Sequence, residues 1–231
     1  MAVAAGSLRV VTATSQETLL WDTKSAQIVT GLDQDQDAGP WRIFIFSRDG
    51  TRLALISGRR VTVVNATTGN VVSQLAIDIY QGGGTDVVAL SPAGKYLAAP
   101  IGGGFAVWDV ATGEQITTWR HDAVLYALDF SSDNCYLATG TFDNLAQVWN
   151  IESGEEVARM PQENVVVATS FSPSGRWLGI RTLDGGVHLS PVTTELLIDE
   201  ARSRLTRNLN ENEWGAYLGN EPYNKTFLTL P

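Results

Sequence analysis

LYALDFSSDNCYLATGTFDNLAQVWNIESGEEVARM, residues 125–160, holds four short apolar runs: Leu125 to Phe130, Tyr136 to Thr141, Leu145 to Asn150 and Glu156 to Met160. Each has the length of a β-strand, and Ser/Asp/Asn or Ser/Gly clusters separate them as turns. The stretch reads as a four-stranded antiparallel meander. A sheet this small needs a second apolar layer before it is stable in water. It is expected to stack on copies of itself.

Those copies recur at a spacing of about 40 to 45 residues, the sequence signature of a repeat array. The turn after the first strand appears as Phe46-Ser-Arg-Asp-Gly50, Leu90-Ser-Pro-Ala-Gly94, Phe130-Ser-Ser-Asp-Asn134 and Phe171-Ser-Pro-Ser-Gly175. A second mark closes the third strand: Trp21-Asp22, Val64-Asn65, Trp108-Asp109, Trp149-Asn150 and the decayed Ser190-Pro191. A third, at Thr68-Gly69, Thr112-Gly113 and Ser153-Gly154, turns the chain into the outer strand.

With these marks in register, residues 6 to about 195 resemble a WD-repeat β-propeller. The resemblance implies an all-β fold of about five four-stranded blades, the first and last incomplete. The expected blades cover about 6–40, 41–84, 85–123, 124–164 and 165–194, followed by a helical tail over 195–231. It also implies a polar tetrad in the fourth unit, made of His121, Thr139, Asp143 and Trp149, which no other unit supplies in full. These four are assigned to structure. The other blades must rely on apolar packing between sheets.

With 44% apolar residues among 231, the chain can bury a sizeable core. A net charge of -9 argues against a grip on nucleic acid or on an anionic membrane, which takes clustered Lys and Arg. No run approaches a membrane span, and MAVAAGSLRV lacks the pattern of a secretion signal. A single cysteine, Cys135, excludes an intrachain disulfide and fits a reducing compartment, so a cytoplasmic location is expected. Its position at a strand start reads as a packed thiol.

The opening Gly6-Ser-Leu-Arg-Val-Val aligns with Gly94-Lys-Tyr-Leu-Ala-Ala, so the chain is expected to begin inside a repeat, with only a stub of the fourth strand in its first blade. Asp33, Asp35 and Asp37 alternate like ligands of a calcium loop. Ala38 and Phe44 stand where that loop wants Gly and Glu, so a solvated acidic turn is the better reading. The glycine runs at 82–84 and 102–104 lack the ending of a phosphate-binding loop and are read as turns. No cofactor is expected.

Leu197, Ile198, Ala201 and Leu205 follow helical spacing over 195–205, and a second helix is expected over Glu211 to Leu218, capped by Asn210. Residues 205–231 are similar to endings of long bacterial WD-repeat proteins, many of which join a nucleotide-binding switch domain to a propeller.

The function expected first is therefore a non-catalytic interaction scaffold or sensor that binds protein partners on its rim. Trp41, Tyr126, Phe142 and Trp214 are the candidate contacts. An alternative is the C-terminal sensor part of a larger signalling NTPase. A propeller enzyme is the least supported class, since His121 and His188 are the only histidines and neither has metal-ligand spacing. Incomplete end blades leave apolar faces and edges open. The arc is expected to close on itself, to be capped by its tail, or to pair with another copy or another blade-bearing chain.

Overall fold

The computed structural model describes residues 2–3, 9–14, 17–32, 43–57, 60–77, 79, 87–193, 196, 198, 202, 207–218 and 222. Nineteen strands form five separate antiparallel sheets in chain order. The first holds β1 (Ala2–Val3), β2 (Arg9–Ala13), β3 (Thr18–Asp22) and β4 (Gln27–Gly31). The second holds β5 (Ile43–Phe46), β6 (Arg52–Ser57), β7 (Arg60–Asn65) and β8 (Val71–Ala76). The third holds β9 (Ala89–Leu90), β10 (Tyr96–Ile101), β11 (Gly104–Asp109) and β12 (Gln115–Arg120). The fourth holds β13 (Leu125–Phe130), β14 (Tyr136–Thr141), β15 (Leu145–Asn150) and β16 (Glu156–Pro161). The fifth has three strands, β17 (Val166–Phe171), β18 (Trp177–Thr182) and β19 (Val187–Pro191). The expected stub of the first blade is β1, only two residues long.

The recurring sequence marks are turn chemistry. In the first turn of a blade, Ser47 Oγ donates to Asp49 Oδ1 at 2.6 Å, and Ser131 Oγ donates to Asp133 Oδ1 at 2.6 Å. The last residue of that turn takes a left-handed backbone, at Gly50, Gly94 and Gly175, and at Asn134 with φ 61°. Asn is among the few side chains that enter that region readily, which explains the one departure from glycine.

The acidic half of each second mark caps the next turn. Asp109 Oδ1 accepts from the backbone N–H of Ala111 at 2.8 Å and of Thr112 at 3.0 Å. Asp22, Asn65 and Asn150 accept in the same way from the second and third residues after them. A carbonyl oxygen serves as well as a carboxylate oxygen, so Asn replaces Asp without loss of the turn. Pro191 offers neither, and no fourth strand follows β19 among the described residues.

Four apolar cores lie between successive sheets. Val11 and Leu20 meet Leu53, Leu55 and Val64; Ile56, Val61 and Val63 meet Leu97 and Trp108. Phe105, Val107 and Trp119 meet Leu137 and Trp149; Ala146 and Val148 meet Leu178 and Ile180. The first strands lie side by side along one inner edge, β1 by β5, β5 by β9, β9 by β13 and β13 by β17. Among the described residues no core joins the first sheet to the fifth. The fold is an open β-propeller arc.

Two expectations need correction or restriction. Cys135 is exposed, because it belongs to the turn ahead of β14 and not to the strand interior. Its thiol is pushed up by partial desolvation and by the carboxylates of Asp133 and Glu152. Of the helix expected over 195–205 only residues 196, 198 and 202 are described, and these are helical; the acidic loop with Asp33, Asp35 and Asp37, and Trp41, lie outside the described residues.

The tail helix α1 spans Glu211–Leu218. Asn210 Oδ1 accepts from the Glu213 N–H at 2.9 Å while Glu213 Oε2 accepts from the Asn210 N–H at 3.0 Å, a reciprocal cap. The Arg207 guanidinium holds the half-buried Glu213 carboxyl down to about 2.

If the second mark works through its acceptor oxygen, Asp109→Ala should destabilise the protein by about 1–3 kcal/mol, since two N–H groups lose a partner. Asp109→Asn should keep nearly all of that stability, and urea unfolding of the two variants distinguishes them.

Candidate functional site

The fourth sheet carries the polar groups and aromatics that the sequence singled out. Trp149 Nε1 donates to Thr139 Oγ1 at 3.1 Å inside the core, and Trp21 Nε1 donates to Thr12 Oγ1 at 2.8 Å in the first sheet. Phe105 and Trp119 of the third sheet pack on the Trp149 ring at centroid distances of 5.6 Å each.

The other two members of the expected tetrad go elsewhere. Gln147 stands opposite Thr139 across the strand pair and meets His121, with Nε2 of His121 3.0 Å from Gln147 Oε1. His121 Nδ1 accepts from the Ala123 N–H at 3.1 Å, so Nε2 carries the proton it donates to Gln147. Gln147 Nε2 in turn donates to Glu156 Oε2 at 2.9 Å, and the Arg159 guanidinium holds Glu156 below the usual carboxylate range. Asp143 accepts from the Thr141 hydroxyl. Among the described residues no hydrogen bond joins His121 or Asp143 to Thr139 or Trp149. The fully buried Gln147 diverts the histidine.

The Thr141–Asp143 bond shapes a turn with Phe142 at its tip, 57% exposed. In β13 the register slips between Leu125 and Ala127, which leaves Tyr126 as the extra residue of a bulge. Bulges re-aim side chains. Here the result is a tilted ring pair, Tyr126 against Phe142, with centroids 6.3 Å apart.

The fifth sheet repeats the device. Its register slips between Val166 and Ala168, and Thr182 Oγ1 donates to Asp184 Oδ1 at 2.6 Å. That bond holds Asp184 below the usual carboxylate range. Leu183 takes the tip, 67% exposed. Sequence reading missed Leu183, although Thr182-Leu-Asp184 repeats Thr141-Phe-Asp143.

The tips share a rim that is apolar at its points and acidic between them. Asp122, Asp143, Glu163 and Asp184 are all exposed there. Glu163 is placed by its carbonyl, which accepts from Asn144 Nδ2 at 3.5 Å. Between the third and fourth sheets the rim opens into a cavity of about 260 Å³, lined by Pro100, Ile101, Phe105, His121, Asp122 and Leu125 among others. That is room for one side chain of a partner. Among the described residues no three His, Cys, Asp or Glu side chains gather as for a metal ion.

Trp214 sits half-buried on α1. No helix among the described residues is long and apolar enough to cross a membrane.

Asp129 of β13 lies at the inner edge. Its Oδ2 accepts from the Phe171 N–H at 2.7 Å and stands 3.9 Å from Arg48. Burial pushes this carboxyl above its ordinary 3.8, against the lowering effects of Phe171 and Arg48.

Residues 113–150 match the family described as WD domain, G-beta repeat. The match begins at the turn before β12 and ends with β15, so a sequence repeat joins the outer strand of one sheet to three strands of the next. Together with the repeated sheets, it supports placing the chain among WD-repeat proteins. No curated protein matches the chain.

Trp149→Ala should cost about 3–5 kcal/mol through the cavity it leaves. Trp149→Phe should cost less, since it keeps most of the packing and loses chiefly the bond to Thr139, worth about 0.5–1.5 kcal/mol. Thermal or urea unfolding measures both.

A raised carboxyl contributes stability that is fully present below its unfolded pKa and lost as pH rises through the folded one. Asp129→Asn should remove that loss, so variant minus wild-type stability should grow as pH rises above the ordinary carboxylate value of 3.8 in urea titrations.

Proposed function

We propose that the chain is a non-catalytic protein-interaction module, and that its partner docks on the rim of the fourth and fifth sheets. The observation that carries this is the exposed tips, Phe142 paired with the tilted Tyr126 ring and then Leu183, set among Asp122, Asp143, Glu163 and Asp184 beside a cavity of side-chain size. Exposed aromatic and aliphatic anchors supply binding energy, and the surrounding charges select the partner. The rim therefore fits a polypeptide segment with an aromatic or aliphatic anchor flanked by Lys or Arg. WD repeats generally serve as scaffolds for protein partners, which supports this class of function.

A second reading rests on residues 205–231, similar to the endings of bacterial WD-repeat proteins that carry a nucleotide-binding switch domain. On that reading the rim is the sensor surface of a cytoplasmic signalling NTPase, and Trp214 on α1 joins the partner contacts.

A display library of random peptides tests the rim. Enriched peptides should combine an apolar anchor with basic neighbours, and Phe142→Ser/Leu183→Ser should weaken their binding about tenfold or more. Both residues are exposed, so the variant should fold normally. Enrichment of acidic peptides, or binding indifferent to the double variant, would overturn the proposal.

A further inference from the structure

Side chains alternate between the faces of a strand. In each third strand, the residues one and three places before the Trp position therefore share the face turned toward the following sheet. In the first four sheets these are Leu20 and Thr18, Val63 and Val61, Val107 and Phe105, and Val148 and Ala146. All eight are at most 1% exposed. In the fifth sheet the same places hold Leu189 and Val187, which are 67% and 75% exposed. They are apolar residues at core positions, and among the described residues no sheet lies over them.

The opposite kind of face is left open at the other end. On the fourth sheet Leu137, Thr139, Gln147 and Trp149 are buried against the third. The corresponding Val10, Thr12, Leu19 and Trp21 of the first sheet are only half-buried, although Trp21 makes the same bond to threonine. Each end of the arc thus displays one half of a junction that the chain builds four times internally. The internal junctions also show how the halves meet, because Phe105 lies against Trp149, and Val187 and Trp21 are their counterparts.

We propose that the outer face of the fifth sheet, centred on Val187 and Leu189, is covered by the Trp21 face of the first sheet of a second copy of this chain. The contact is head-to-tail, between two different surfaces, and it extends the apolar stacking already present between neighbouring sheets. Exposed apolar faces of this kind mark interaction surfaces. The occupant follows from fit: the half-buried Trp21 face of the first sheet is the counterpart of the Trp149 face that packs on Phe105 at an internal junction.

The test is the mass in solution by size-exclusion chromatography with light scattering. The wild-type chain should exceed its 25.0 kDa monomer mass at micromolar concentration. Val187→Glu/Leu189→Glu blocks one face and Leu19→Glu blocks the other, and each variant alone should run as a monomer. Mixed in equal amounts, they should form a heterodimer through the one pair of intact faces that remains. Should Leu19→Glu fail to fold, Thr12→Arg blocks the same face. A wild-type monomer throughout the micromolar range would overturn the proposal. So would self-association of the Val187→Glu/Leu189→Glu variant, or a mixture that stays monomeric.

Discussion

Everything in this molecule depends on one sheet burying a face of the next. A four-stranded sheet of this size has little interior of its own, and its apolar side chains leave water only where a neighbour arrives. The chain meets that constraint by repetition. Each of the first four sheets packs one apolar face on its successor, and the successor's facing side carries Val64, Trp108 or Trp149 at three of the four junctions and Leu178 with Ile180 at the last. The hydrogen-bonded turns add to that stability locally. They fix the spacing and register that bring the two faces together.

That division explains what could be read in advance. The turns are local: a Ser with an Asp two residues on, a left-handed Gly or Asn, an Asp or Asn whose oxygen reaches two N–H groups. Each is written within five or so residues, so the strand limits of the fourth sheet could be read from sequence almost to the residue. The tetrad is not local. Whether His121 reaches Thr139 depends on what stands across the strand, and Gln147 there turns the histidine aside. A resemblance carries residue types to positions but does not carry the neighbour that competes for them. Cys135 and Leu183 were misjudged or passed over for a related reason, since exposure at a turn depends on which way the turn projects.

The acidic balance of the chain takes on meaning only once the rim is assembled. In sequence, Asp122, Asp143, Glu163 and Asp184 are spread over more than sixty positions and look like ordinary solvated residues. In the fold they gather around Phe142 and Leu183. Asp143 and Asp184 also accept from the threonines that build the turns, so the same carboxylates shape the tips and charge them. Asp129 plays a different part. Near Arg48 of the second sheet and bonded to the backbone of the fifth, it links three blades at the inner edge, and its burial makes that link costly when ionised.

The fifth sheet shows how the loss of one mark changes the fate of a whole edge. With Ser190 in place of tryptophan and Pro191 in place of the capping acid, the turn into an outer strand has no acceptor, and β19 is left as an edge. An edge strand normally blunts itself with charge, proline or a bulge. Pro191 does so at its end and His188 faces away from the bare side, yet Val187 and Leu189 keep the apolar character of the four junctions before them. On the same face Arg181, opposite Val187, is exposed and charged. These two nonetheless remain apolar at three-quarters and two-thirds exposure, in the register that elsewhere makes core.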